Sequence, residues 1–569
     1  MRFLRMLTNS LVAGALGAAY LTILLLHLNP EVPLASSSVW RWYATLGAFY
    51  GVHLAIGFYV IMLLRELVGL EMFYPGWISV RLLAWLSSTA AAVAATLMWL
   101  NLRGFPAVLN EAAARRFAYG AGGLTLSALV LLGIAIAHYS FGRRGSRVGA
   151  TLLAIAIVGS LALPIAARGR GGEPPIGARR LTLATPPARA PGPRVVMLLL
   201  DGASLEYVLP RVAAGRLPNF GRVLDSGASM DLATIRPTQP DPVWAAVATG
   251  MYPAKNGVRS AVSYYAPGDA RPVDLLPDHC FSHILVRLGA VQDQPNTSAA
   301  WRARPLWTIL GDYGITAGIV RWPLTYPAQP TSGFLLTDRF HQMVGSMFEF
   351  DGRAAYPPDA IAAARDAFAA NANAADGDQL APMRRDESYS RAMRDLVADH
   401  PVQLEAVRYQ GVDHAGHYYF KYAQPRSIGD VSEAERQLYG GFLDREYAFV
   451  DGEIGAAIER LRPGDLLLVV SGFGMQPVSP VKHAIARLLR DPDVSGTHEN
   501  APDGFLLAYG TTVSPGRKPR GSIVDVTPTI LYFAGVPIGR DMDGYARADI
   551  FLSWFTADRP ITFITSHGR

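Results

Sequence analysis

The chain has 569 residues, half of them hydrophobic, and a formal charge of +6. That length exceeds one ordinary domain, and the long uncharged runs are concentrated before residue 168. No Lys/Arg cluster is interleaved with aromatics, which argues against a nucleic-acid partner, and a single cysteine, Cys280, excludes an intrachain disulfide or a thiolate metal cluster.

The predicted elements begin with five apolar stretches, 9–28, 43–64, 79–101, 117–138 and 147–167. Each is close to the ~20 residues that a helix needs to cross a bilayer. The first reads as a signal anchor, because four more spans follow it and no cleavage-like site does. Trp40, Trp42, Tyr43 and Trp99 suit interfacial anchors. His53 lies within the second span, where an ionisable group is either functional or makes a helix–helix hydrogen bond. Arg2, Arg5, Arg65, Arg81, Arg143, Arg144 and Arg147 fall on one side of such a bundle, and Arg103, Arg115, Arg116, Arg168 and Arg170 on the other. This bias favours a cytoplasmic N-terminus. The expectation is a multi-pass protein of a bacterial inner membrane, with the lipid bilayer as a partner and the C-terminal domain outside the cytoplasm.

Residues 1–168 form the expected membrane domain. Residues 169–191, rich in Pro, Gly and Arg, read as an extended linker. From 192 to 569 strand-like and helix-like patterns alternate. The run VVMLLL before Asp201 is followed by helical stretches near 204–214 and 218–226. WTILGDYG (307–314) precedes ITAGIVRWP (315–323), and a helical segment over 432–461 precedes DLLLVVSG (465–472). Continuous apolar strands between helices predict an α/β domain around a mainly parallel sheet. Ligands gather at the carboxyl ends of such strands, where Asp201 and Gly472 are expected.

Several segments of this region resemble one family. LLLDGASLEYVLPRVAAGRLPNFGRVLDSGA (198–228), WAAVATGMYPAKNGV (244–258), RPLWTILGDYGITAGIVRWPLTYPAQP (304–330), GVDHAGH (411–417) and DVTPTILYFAGVPIGRDMDG (525–544) are similar to the type I phosphodiesterase/nucleotide pyrophosphatase branch of the alkaline phosphatase superfamily. The resemblance implies an alkaline-phosphatase-like fold behind five transmembrane helices. It also implies chemistry at two divalent ions that stabilise the entering and leaving oxygens of an in-line displacement, through a covalent phospho-enzyme.

Carried over by position, the first metal site is complete: Asp413, His417 and His498. Asp413 and His417 stand at i and i+4, on one face of a helical turn, and Gly416 is read as relieving crowding between them. The second site is degenerate. Asp201 matches one of its ligands, but the nucleophile position is Pro240, which has no hydroxyl. The expected Asp-His pair reads Gly472-Phe473, and Asn256 replaces a usual His. Thr238 and Asp241 are the candidate catalytic substitutes, and His414 offers a spare nitrogen. One ion is expected rather than two, with zinc favoured by the carboxylate and imidazole ligands.

Three functions remain open on this basis. The first is a membrane-anchored, metal-dependent phosphodiesterase or phosphatase-like hydrolase acting on a phosphorylated small molecule, lipid or glycan. The second is a catalytically inactive relative that binds such a ligand or a partner. The third is a phospho-group transferase acting on envelope lipid or glycan, suggested only by the layout of five spans before such a domain.

Overall fold

A computed structural model describes residues 2–67, 80–140, 147–172, 192–343, 352–369, 381–424, 431–479 and 494–568. Most of the expected linker, residues 173–191, lies outside the described residues. The chain forms two compact units. One comprises Met1–Gly177 together with Val262–Pro295, the other Ala178–Ala261 together with Asn296–Arg569.

The first unit contains five helices long and apolar enough to cross a membrane: Phe3–Leu28, Ser37–Leu67, Val80–Gly104, Glu111–Ala137 and Val148–Arg168. They extend the expected spans by a few residues at their ends. The first two meet at glycines. A Cβ added to Gly14 would stand 2.2 Å from the Gly51 carbonyl oxygen, so only small residues permit this approach. Gly51 closes a π-helical turn, Gly47–Gly51, inside the second helix. At the end of the first helix, Arg168 donates from Nε to the Leu26 carbonyl (2.6 Å) and from Nη2 to those of Asn29 (2.9 Å) and Val32 (2.6 Å). It thereby satisfies carbonyls that a helix terminus leaves open. Trp40 is exposed, but Trp42 is fully buried, so Trp42 is a core residue and not the interfacial anchor its position suggested. His53 donates from Nδ1 to Phe49, four residues back on its own helix (2.6 Å), a third alternative to the two expected.

The second unit is built on a ten-stranded mixed sheet. Its strands are β1 (Val195–Leu200), β2 (Ala228–Ala233), β3 (Ala317–Val320), β4 (Gly333–Leu336), β5 (Ala355–Tyr356), β6 (Leu404–Tyr409), β7 (Leu466–Phe473), β8 (Asp503–Tyr509), β9 (Gly516–Arg517) and β10 (Gly521–Ser522). The order is β9-β2-β8-β7-β1-β6-β3-β4-β5, with β10 also on β2. The central strands β7, β1, β6, β3 and β4 are parallel, while β8 runs antiparallel to both its neighbours and β5 antiparallel to β4. Every residue of β1 and β7 is buried, as expected for parallel strands covered by helices on both faces. Leu200 pairs with Tyr409 on one side and Ser471 on the other. The carboxyl ends of β1, β6 and β7 therefore lie side by side: Asp201 follows β1, Asp413 stands in the helix that follows β6, and Gly472 is among the last residues of β7.

Candidate metal centre

Helix Gly411–Ala423 follows β6 directly and carries Asp413 in its first turn and His417 one turn later. Two devices fix the start of this helix. The Gly411 backbone N–H donates to Asp386 (2.8 Å), and Gly202 lies against Asp413. Gly202 has φ +69°, and a Cβ there would stand 2.8 Å from Asp413 Oδ1. Only glycine accommodates both the left-handed backbone and the contact. His498 arrives from the short strand Gly496–Thr497, which lies against the same helix. The Gly496 carbonyl accepts a hydrogen bond from His417 Nδ1 at 2.9 Å.

Asp413, His417 and His498 each offer one ligand atom, all within 4.8 Å of one another. His417 Nδ1 is tied to the Gly496 carbonyl and His498 Nδ1 to the Thr238 carbonyl (3.1 Å). A ring that donates from Nδ1 turns an unprotonated Nε2 outward, the arrangement that presents imidazole to a metal. The two Nε2 atoms lie 3.6 and 3.8 Å from the Asp413 oxygens. These gaps are long for hydrogen bonds, yet close to the ~3.4 Å that separates ligands about 2.0–2.1 Å from a tetrahedral ion. Asp413 Oδ1 is buried and finds no hydrogen-bond donor among the described residues. Burial pushes the Asp413 carboxyl above its usual range, and the two neighbouring imidazoles pull it back. The residues present thus fit a divalent cation.

The trio borders a cavity of about 460 Å³, whose walls include Arg321, Arg385, His414, Thr497 and Glu499. That volume falls within the range of small-molecule sites. Burial and the neighbouring charges of His417 and Arg385 push His414 below the usual imidazole range. Gly416 acts differently from its expected role. Its carbonyl oxygen would lie 2.3 Å from a Cβ on Gly496, and a Cβ on Gly416 itself would meet Met475. Gly416 thus leaves room for Met475, and it is Gly496 whose small size admits the close approach of strand and helix.

The other candidate residues do not join the trio. Asp201 is fully buried. Arg408 Nε donates to both its carboxylate oxygens at 3.0 Å, and Trp244 Nε1 donates to Oδ1 at 2.6 Å. Its oxygens are thus committed to a guanidinium and an indole. The Thr238 hydroxyl donates to the Ile235 carbonyl (2.8 Å), and the residue is 2% exposed, so no nucleophile is presented there. Its contribution is the backbone carbonyl that orients His498. Pro240 opens helix Pro240–Thr249 and Asp241 follows it, partly buried and outside the walls of the cavity. Burial, with the negative charges of Asp338 and Asp201, brings the Asp241 carboxyl up to about 7, against the opposing pull of Arg408. Phe473 is fully buried with its ring 4.9 Å from that of His498. A Cβ on Gly472 would stand 2.5 Å from Val243 Cγ1 and 3.7 Å from the Trp244 ring, which leaves no room for a ligand side chain. Asn256 is buried and bonded to the backbone of Met251 and Val258. A second ion does not fit these residues. Arg408, Arg321 and Arg385 belong to no motif that marks them in the sequence as part of the site. For Arg408 the available signal was an arginine inside an apolar strand that ends just before VDHAGH.

Comparison with curated proteins finds no match to this chain. Among solved structures, human ectonucleotide pyrophosphatase/phosphodiesterase 5 is 14% identical, with a TM-score of 0.38, over 63% of this chain and all of that one. The murine protein is 13% identical, with a TM-score of 0.37, over 64% of this chain and 99% of that one. A murine structure of an inactive variant in complex with AMP gives the same values. The family model of type I phosphodiesterase / nucleotide pyrophosphatase matches residues 195–525. The chain therefore belongs to the type I phosphodiesterase/nucleotide pyrophosphatase family of the alkaline phosphatase superfamily.

Proposed function

We propose that this protein is a membrane-anchored phosphoester hydrolase that works with one divalent ion, zinc, held by Asp413, His417 and His498. The observation that carries the reading is the convergence of three ligand atoms within 4.8 Å. An ion bound there supplies Lewis acidity, polarising a phosphoryl oxygen and making water a stronger nucleophile. The chain's own residues hold the ligand set rigid through the carbonyls of Gly496 and Thr238. Arg321, ion-paired with the buried Asp386, and Arg385 line the cavity beside the trio and add positive potential for an anionic ester. No hydroxyl stands at position 240, so water attacks phosphorus directly and no phospho-enzyme forms. Family membership supports a phosphorylated small molecule as the substrate class. A lipid or glycan ester near the bilayer is the form that suits the five apolar helices. We place the protein in a bacterial inner membrane, with the metal centre outside the cytoplasm, on the bias of its arginines.

Metal analysis of the purified full-length protein, paired with hydrolysis of bis(p-nitrophenyl) phosphate, tests this reading. One zinc per chain is expected, with turnover abolished by chelation. His417→Ala and His498→Ala should each lose the ion and lower the rate by roughly a hundredfold or more. A well-folded protein that binds zinc but shows no turnover with any divalent ion would identify the inactive, ligand-binding alternative. Label transferred to a lipid or glycan acceptor in place of water would identify the transferase.

A further inference from the structure

The half-site beside the trio contains a cation of its own. Arg408, on β6, is 3% exposed, and its guanidinium grips both oxygens of Asp201, the residue that the family resemblance assigns to the second ion. Two more carboxylates, Asp241 and Asp338, lie within electrostatic reach of the same guanidinium. Three elements bring these acids to it: the loop after β1, the first turn of helix Pro240–Thr249 and the segment after β4. An arginine alone among buried acids would be an ordinary ion pair. Here the surroundings are altered together. Trp244 occupies the space beside Gly472 and donates to Asp201, and Gly472 has no room for a side chain.

We propose that the Arg408 guanidinium is the permanent cation of the second half-site, taking over the Asp201 carboxylate from a second divalent ion. The inference rests on the one-ion reading above, but it concerns a different set of residues. Arg408 is a positioning residue. It neutralises Asp201 beside the helix that carries Asp413, and its single charge stays with the protein when the exchangeable ion leaves. Arg339 is a second cationic neighbour of Asp241 and Asp338, and burial holds both carboxyls above their usual range, Asp241 at about 7.

The test reads metal content. Full-length protein in detergent is dialysed against Zn²⁺ or Mn²⁺, and bound ions per chain are counted by mass spectrometry for wild type, Arg408→Ala, Arg408→Lys and Asp201→Asn. One ion is expected in the wild type, in Arg408→Lys and in Asp201→Asn. Two are expected in Arg408→Ala, falling back to one when Asp201→Asn is added. A folded Arg408→Ala protein that stays at one ion overturns the proposal. So does a wild type that binds two ions and loses one in Asp201→Asn, a result that stands even if Arg408→Ala fails to fold. A wild type with no ion contradicts the reading of the trio instead, and the Arg408 proposal then stands or falls on whether Arg408→Ala gains an ion that Asp201→Asn removes.

Discussion

At the scale of single residues, function turns on which polar atoms are already engaged. Thr238 illustrates this. Its position two residues before Pro240 made it a candidate nucleophile, but the hydroxyl is spent on Ile235 and the useful atom is the carbonyl that binds His498. Thr238→Val keeps that carbonyl and the side-chain volume. It should cost about 1 kcal/mol of stability for the lost hydrogen bond, while phosphodiester hydrolysis stays within about twofold of wild type. A loss as large as that expected of His498→Ala would return the hydroxyl to the chemistry. Glu446 gives a second prediction. It is 5% exposed, its Oε2 has no hydrogen-bond partner among the described residues, and burial, followed by Asp386 and Glu387, pushes its carboxyl up to about 8. The folded protein thus binds this proton more tightly than the unfolded chain, whose carboxyl titrates near 4.5. The associated stability is complete below about pH 4.5 and is lost as pH rises through about 8. Thermal midpoints between pH 5.5 and 9 should fall less steeply in Glu446→Gln than in wild type. Parallel curves would mean that Glu446 is already ionised in the fold.

At the scale of elements, the sequence was most informative where a pattern is local. The continuous apolar run VVMLLL and the helical stretch after Ser204 follow from patterns that an apolar core imposes, and the i, i+4 pair Asp413 and His417 is visible in the motif VDHAGH. The family resemblance supplied the third ligand, His498, because no spacing rule links it to a helix 80 residues earlier. Arg408 escaped notice for a related reason. A charge inside a buried strand is interpretable only through its partners, and Asp201, Asp241 and Asp338 come from three other segments. The contact between helix Gly411–Ala423 and strand Gly496–Thr497 depends on Gly496, whose small size is visible in the sequence but whose approach to the Gly416 backbone is not. A Cβ on Gly496 would stand 2.3 Å from the Gly416 carbonyl oxygen. That atom belongs to the backbone and cannot rotate aside. Gly496→Ala should therefore push the strand from the helix, destabilise the fold by about 1–3 kcal/mol and weaken zinc binding, because His417 and His498 are carried by the two parts forced apart. Zinc titration of the variant, alongside its chemical denaturation, checks both effects. Unchanged affinity with reduced stability would show that the ligand geometry tolerates the shift.

At the scale of the whole molecule, the chain passes between its two units three times, because Val262–Pro295 belongs with the five apolar helices. Nothing in that segment's composition announces this, since it contains no long apolar run and its attachment is made by hydrogen bonds. Asn29, just past the first helix, accepts at Oδ1 from the backbone N–H groups of Asp274 and Leu275 (3.0 Å each) and donates to the Leu275 carbonyl (2.7 Å). Asn101, near the end of the third, accepts from the Asp278 N–H (2.7 Å) and donates to its carbonyl (3.0 Å). Tyr50, in the second helix, donates to the Cys280 carbonyl (2.8 Å). Successive spans alternate in direction, so the ends of the first and third helices share one side of the bundle, and the segment attaches there. Both asparagines are fully buried, so truncating either leaves backbone groups without partners, at about 1–3 kcal/mol each. The combined variant Asn29→Ala/Asn101→Ala should then release residues 274–280 locally while helix content is retained. Hydrogen exchange of the Asp274, Leu275 and Asp278 amides in detergent should accelerate by about tenfold or more, since ~1.4 kcal/mol corresponds to one decade in an opening equilibrium. Exchange as slow as in wild type would mean that packing, and not these two side chains, holds the segment against the helices.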